Sequence, residues 1–374
     1  MFGNLFKNYI YPVAVFCGGM IGVGFLSLPY IALQSGIWLM LLYFIVLTAI
    51  VVVINVIFCQ ISLKTPDFKR FPGFVGHYLG KWAKLFSMIS VIFGTLGVLL
   101  VYLLIGGQFL ASVLHGNILT YALIYFFIAS VIIYFDIKVV ARVEFWVIVL
   151  LILSLFFVFA MGFSQIKLSN ILTTNYSDPG GTPATNFFLP YGPLLFALWG
   201  IGLIPEIEEM LGKGKKRLKT IIAVSTIIIS VFYLLFTFLI LGITGSQTEA
   251  SALVGLKNFL PNTLVSIALL MGALATFTAF ITQGIIFKKT LMFDLKIKHW
   301  QAFVMTCFPP MILFLIGLKS FIPILSFIGG VLLGINGILI LLMYKKIKGR
   351  NIIIFPLSLI FLLGIIYEII YFVK

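Results

Sequence analysis

Charge is scarce in this chain. Only 9% of its 374 residues are Asp, Glu, Lys or Arg, and just 10 of them are acidic. With 62% hydrophobic residues and a mean hydropathy of +1.22, a soluble domain of this length could not keep its apolar side chains from water. Cysteine and histidine are almost absent as well. Cys17, Cys59 and Cys307 are odd in number, far apart and set in apolar stretches, so no disulfide framework follows from them. A free cysteine in such surroundings behaves as a small hydrophobe, although Cys17 adjoins a glycine cluster and is also a candidate cavity residue. His77, His115 and His299 have no acidic neighbour in sequence. Zinc chemistry and nucleophile-base catalysis therefore find no residues here, and an enzyme is not expected.

What the chain has instead is long apolar runs. Eleven are legible, at residues 8–33, 37–61, 86–112, 118–135, 143–163, 187–211, 220–243, 262–287, 300–317, 320–344 and 351–373. Each is long enough as a helix to cross a hydrocarbon core of about 30 Å with some tilt. The first is not expected to be a cleavable signal, because it is too long, contains Pro12 and Pro29, and lacks a small-residue cleavage site. An all-helical integral membrane protein of about eleven spans is expected, with a lipid bilayer as its surroundings.

The net charge of +15 is a topology signal rather than a nucleic-acid surface. If the N-terminus lies in the cytoplasm, every Lys and Arg except Lys167, Lys257, Lys319 and Lys374 falls on the cytoplasmic side. This positive-inside bias predicts a multi-pass protein of the cell (inner) membrane with its N-terminus inside and its C-terminus outside.

Two spans carry breaks. Gly18-Gly19-Met20-Ile21-Gly22-Val23-Gly24 places four glycines in the first, and Trp199-Gly200-Ile201-Gly202-Leu203-Ile204-Pro205 interrupts the sixth. Gly18 lies about 16 Å along a helix from Lys7, near mid-membrane, and Gly200 reaches a similar depth from the other side. Unwound backbone survives in lipid only where protein or a polar cavity satisfies it, so paired breaks imply a midplane binding site. They also open two sets of five spans, which predicts an inverted repeat: residues 1–163, an outer loop at 164–186, a second repeat at 187–345, and an extra helix within 346–374. The alternative reading is close packing, since glycine lets membrane helices approach and Gly18 and Gly22 have Gly-x-x-x-Gly spacing.

The connections add detail. Phe74, Tyr78 and Trp82 recur at helical spacing within residues 64–85, predicting one interfacial helix on the cytoplasmic face. The 164–186 loop contains the turn signal Asp178-Pro179-Gly180-Gly181. Residues 244–261 suit either a lid over the outer mouth or a plain surface loop.

Four segments resemble one family. GGMIGVGFLSLPYIALQSG is similar to the opening signature of the amino acid and auxin permeases, including the bacterial hydroxy and aromatic amino acid permeases, within the amino acid, polyamine and organocation superfamily. FPGFVGHYLGKWAK resembles that family's first cytoplasmic loop, GTLGVLLVYLLIGGQFL its third span and FALWGIGLIPEIEEM its sixth. The resemblance implies the leucine-transporter fold, with broken helices one and six, and cation-coupled amino acid symport by alternating access. A ligand-sensing subunit of the same fold, as in germinant receptors, and a channel are the other readings. Among sodium-coupled relatives, carbonyls of the first break and hydroxyls of span eight hold the ion, which implies Cys17, Met20, Thr276 and Thr278 here. Back-bonding of these threonines to their own helix is the competing reading. Some proton-coupled relatives carry a lysine in span five instead, and residues 143–163 contain none, so sodium and proton both stay open.

The chemistry of a zwitterion fits the breaks. Free amides from Gly19, Met20, Ile21, Gly22, Val23 and Gly24 would take a carboxylate, and carbonyls near Cys17, Gly18 and the Phe196 to Gly200 turn an ammonium. Phe196, Trp199, Gly200, Gly202, Tyr102, Gln108, Thr276 and Asn336 are candidate pocket residues. Glu206 and Glu209 follow Pro205. They either serve a helix start alone or act as proton carrier or gate, Glu206 above all because it lies about 10 Å inside Lys213. Glu144 beside Arg142 and Asp136 beside Lys138 suit gate pairs or interfacial charge, and Glu368 is expected to snorkel from the outer end of the last span. No cofactor is expected beyond a bound sodium ion or a transported proton, and the chain is expected to act as a monomer.

Overall fold

A backbone in lipid must satisfy its own amides and carbonyls, and helices do so within one segment. In the computed structural model, which describes residues 9–66, 69–135, 140–172, 187–318 and 320–373, each of the eleven apolar runs is helical. Eight helices among the described residues are long and apolar enough to span a membrane, and nine if the bent first pair is one span. The other two are span four, Ile118–Tyr134, and span six, which is divided into short halves.

Span one runs as Tyr11–Met20, passes through extended backbone at Ile21 and Gly22, and resumes as a tight 3-10 stretch, Val23–Ser27, leading into helix Leu28–Ser35. The two parts meet at 54°. Span six repeats the design: helix Tyr191–Leu198, extended Trp199, a 3-10 turn over Ile201–Leu203, then helix Ile204–Leu211. In both, the resumed helix has proline as its second residue, Pro29 and Pro205, where the missing amide costs no helical bond.

The packing follows the repeat. Span two, Ile37–Lys64, lies against span seven, Leu218–Thr244, and span three, Lys81–Leu114, against span eight, Asn262–Asp294, so repeat mates are neighbours. A polar ladder ties the first pair, with Thr48 and Ser230 hydroxyls 2.5 Å apart and Asn55 Nδ2 donating to Thr226 at 3.1 Å. Such bonds hold membrane helices where lipid offers no hydrophobic drive between them. Span ten, Phe321–Lys346, opens at mid-length into a π-helical stretch, Ile328–Leu333, and one of its carbonyls, on Leu332, accepts from Ser90 of span three at 3.1 Å.

Several sequence expectations change. The interfacial helix is Phe71–Leu79 only; Gly80, at φ +87°, turns the chain, and Trp82 belongs to span three. Span eight continues past its apolar run because Lys288 is buried, its amine donating to the carbonyls of Ile133 at 2.5 Å and Tyr134 at 3.1 Å. Those carbonyls end span four, so a helix terminus rather than water or lipid headgroups takes this cation. Glu368 does not snorkel; it is fully buried. The Asp178 turn, Asp136 and Lys138 lie outside the described residues, as do the side chains of Arg142 and Glu144.

Candidate functional site

The two breaks touch. A Cβ at Gly24 would stand 2.8 Å from the Phe196 ring and 3.1 Å from the Ala197 backbone, and one at Gly200 2.5 Å from the Phe16 ring. Gly19 faces Leu203 as closely, at 2.8 Å. These three glycines therefore do what the packing reading required. Gly18, Gly22 and Gly202 do not: a Cβ on Gly18 or Gly22 would meet its first neighbour at 3.9 Å or 3.5 Å, and on Gly202 none within 4 Å.

Gly18 and Gly22 instead border a cavity of about 60 Å³ beside the first break. Its walls include Gly19, Ile21 and Val23 from span one, Tyr102 from span three and Thr276 from span eight. Span seven braces the break from behind. The Tyr233 hydroxyl donates to the Met20 carbonyl at 2.7 Å, its ring stacks on Phe25 at 5.4 Å, and the Cys17 thiol donates to the Ser225 carbonyl at 3.6 Å.

Part of the expected site is elsewhere. Gln108 is six residues from Tyr102, about 240° around the helix, and does not line the cavity. Asn336 is buried in span ten with its Oδ1 unpartnered, also away from the cavity. Phe196 and Gly200 pack against span one, at Gly24 and Phe16, rather than line its cavity, and Trp199 does not line it either. Thr276 donates back to Ala273 at 2.9 Å, and Thr278 to Ala275 at 3.1 Å, and only Thr276 reaches the cavity. Glu206 and Glu209 are exposed, whereas Glu208 between them is buried, accepting from Ser62 of span two and from Lys215 at 2.8 Å.

Several wall residues escape the sequence reading, and two of them add most to the site. Gln283 lines the cavity from span eight, and its signal is a stripe of small and polar residues, Gly272, Ala275, Thr276, Ala279 and Gln283, at helical spacing. Leu253, from the loop between spans seven and eight, is the other, so that loop folds inward onto the site.

Residues 7–357 match the model of the tryptophan/tyrosine permease family. The chain belongs to that family. No curated protein sequence matches the permease. Among solved structures it is similar to MhsT in complex with L-phenylalanine, at 13% identity and TM-score 0.63, with 97% of each chain covered. It is also similar to Mhp1, a nucleobase-cation-symport-1 family transporter, at 14% identity and TM-score 0.57, covering 96% of the permease and 90% of Mhp1. A variant of the Eremococcus coleocola manganese transporter gives 13% identity and TM-score 0.67, covering 99% and 87%. At such identities the likeness is one of fold. The permease has the leucine-transporter fold and is a transporter, not an enzyme.

Proposed function

We propose that the permease is a cation-coupled symporter of an aromatic amino acid, working by alternating access in the cell membrane and placed within the amino acid, polyamine and organocation superfamily. The observation that carries this is the cavity beside the first break, where Gly18 and Gly22 keep backbone open to a ligand while Gly19, Gly24 and Gly200 lock the two broken helices together. Amides at the start of Val23–Ser35 suit the substrate carboxylate, and carbonyls ending Tyr11–Met20 suit its ammonium. The family name and the phenylalanine bound to MhsT support an aromatic side chain.

A volume of about 60 Å³ has room for roughly four waters, not for an indole. Substrate entry therefore requires the walls to part, Leu253 and Tyr102 among them. Thr276 gives its proton to Ala273, so its oxygen can still accept, from Tyr125 beside it or from sodium, while the Met20 carbonyl already accepts from Tyr233. The positive-inside bias supports an N-terminus in the cytoplasm and a C-terminus outside.

Uptake of labelled tryptophan, tyrosine and phenylalanine into proteoliposomes, with sodium and pH gradients imposed separately, tests the proposal. Concentrative uptake under one gradient is expected. Binding without accumulation would mark a sensor and mere equilibration a channel, and either would overturn it.

A further inference from the structure

Glu368 sits five residues before the end of span eleven, Asn351–Val373, yet it is wholly buried. Ser326 of span ten donates to its Oε1 at 3.0 Å, and the Gly192 amide at the start of span six faces the same carboxyl. Room for it is made by glycine: a Cβ at Gly330 would come within 2.2 Å of Glu368 Cγ, and one at Gly192 within 2.6 Å of Oε1. Oε2 has no hydrogen-bond partner. The titratable groups facing it are Tyr191 of span six and Tyr43 of span two, and the Tyr191 hydroxyl is likewise unpartnered. Among the described residues no cation pairs with it.

An ionised carboxyl with a bare oxygen and no counter-charge is costly in such surroundings, and binding a proton removes that cost. Ionisable groups kept inside membrane bundles commonly mark proton paths. The position of this one couples it to the site. Ser326 and Gly330 flank or belong to the π-helical stretch of span ten, a kind of distortion frequent at functional sites. Gly329 in that stretch abuts Gly192 and Phe196 of span six, and Phe196 in turn packs on Gly24 of the first break. On the other flank, Tyr43 and Tyr191 wall an apolar groove of about 240 Å³ together with Gly364, one turn before Glu368. The two tyrosines that face the carboxyl are thus also walls of the groove.

We propose that Glu368 is the binding site of the coupling proton, loaded when the first half of span six and span ten part and retained when they close. The carboxylate takes up one proton to become the acid and releases it on the opposite swing; no other bond changes. This rests on the reading of the permease as a cation-coupled transporter and assigns its cation.

The test uses full-length protein in proteoliposomes, with labelled tryptophan. Glu368→Gln keeps size and neutrality but cannot exchange a proton. It is expected to retain tryptophan counterflow, which needs no net proton movement, and to lose accumulation driven by a pH gradient; Glu368→Asp should keep both. Gradient-driven accumulation by Glu368→Gln at the wild-type level would overturn the assignment and leave the transporter reading intact. Failure of counterflow in the wild type would instead remove the transporter reading. Whatever the variants do, dicyclohexylcarbodiimide, which modifies protonated buried carboxyls, reads the wild type directly by peptide mass. Modification of Glu368 that falls as pH rises is expected, and none, or the same extent at every pH, would overturn it.

Discussion

Gly22 and Gly24 are two residues apart and do opposite work. A methyl at Gly24 would press on the Phe196 ring and the Ala197 backbone, whereas one at Gly22 would make only ordinary contact with the Tyr102 hydroxyl. Gly24→Ala should therefore destabilise the fold by about 1–3 kcal/mol, as overpacking does. Gly22→Ala should leave thermal unfolding of the purified protein unchanged and weaken tryptophan binding, and Gly22→Leu should abolish binding with the protein still folded. Full binding by Gly22→Leu would show that the cavity beside it is not the substrate site. Lys288 makes a different prediction. Because its amine serves the last carbonyls of span four, Lys288→Met should cost about 1–3 kcal/mol through the two buried hydrogen bonds it removes, read as a lower melting temperature with tryptophan affinity retained. An unchanged melting temperature would mean that other groups already satisfy those carbonyls.

At the scale of elements, periodicity and length located every span, because eleven apolar runs separated by charged or turn-rich segments allow little else. The breaks were legible too, since glycine clusters and proline have no other common use at mid-membrane. Side-chain direction was not. Tyr102 and Gln108 are both polar and close in sequence, but only helical phase decides which faces the cavity, and phase needs a neighbour to point at. Glu206 and Glu208 differ in the same way: the second turns toward Lys215 and toward Ser62, the latter a contact between segments far apart in the chain. Glu368 was misplaced because depth from the end of a span says nothing of a glycine-lined niche between three helices. The loop after span seven was open between lid and surface, and its inward fold favours a lid. Ala252, Leu253 and Leu256 are buried, and Lys257 donates to the Ser112 carbonyl at the end of span three. Leu253→Ala should therefore speed release of bound tryptophan, measured by chase with unlabelled substrate, while leaving the fold intact. An unaltered release rate would return the loop to a surface connection.

At the scale of the whole molecule, the inverted repeat raises a problem that charge must solve. Spans two and seven, three and eight, and the two broken helices are related as mates, so turning the bundle over exchanges one half for the other and changes the membrane-buried surface little. Hydrophobicity alone then hardly selects an orientation. The bias in Lys and Arg does: the end of the bundle where spans two, six, eight and ten finish carries Lys64, Lys215, Lys289 and Lys346, and the opposite end has few cations. A cysteine introduced at Gln247, an exposed residue of the loop after span seven, should react with a membrane-impermeant maleimide in intact cells; one at Lys215 should react only after permeabilisation. Background from native thiols is low, since Cys59 and Cys307 are buried and Cys17 is half-buried. The reverse labelling pattern would invert the topology, and with it the side from which Glu368 would take its proton.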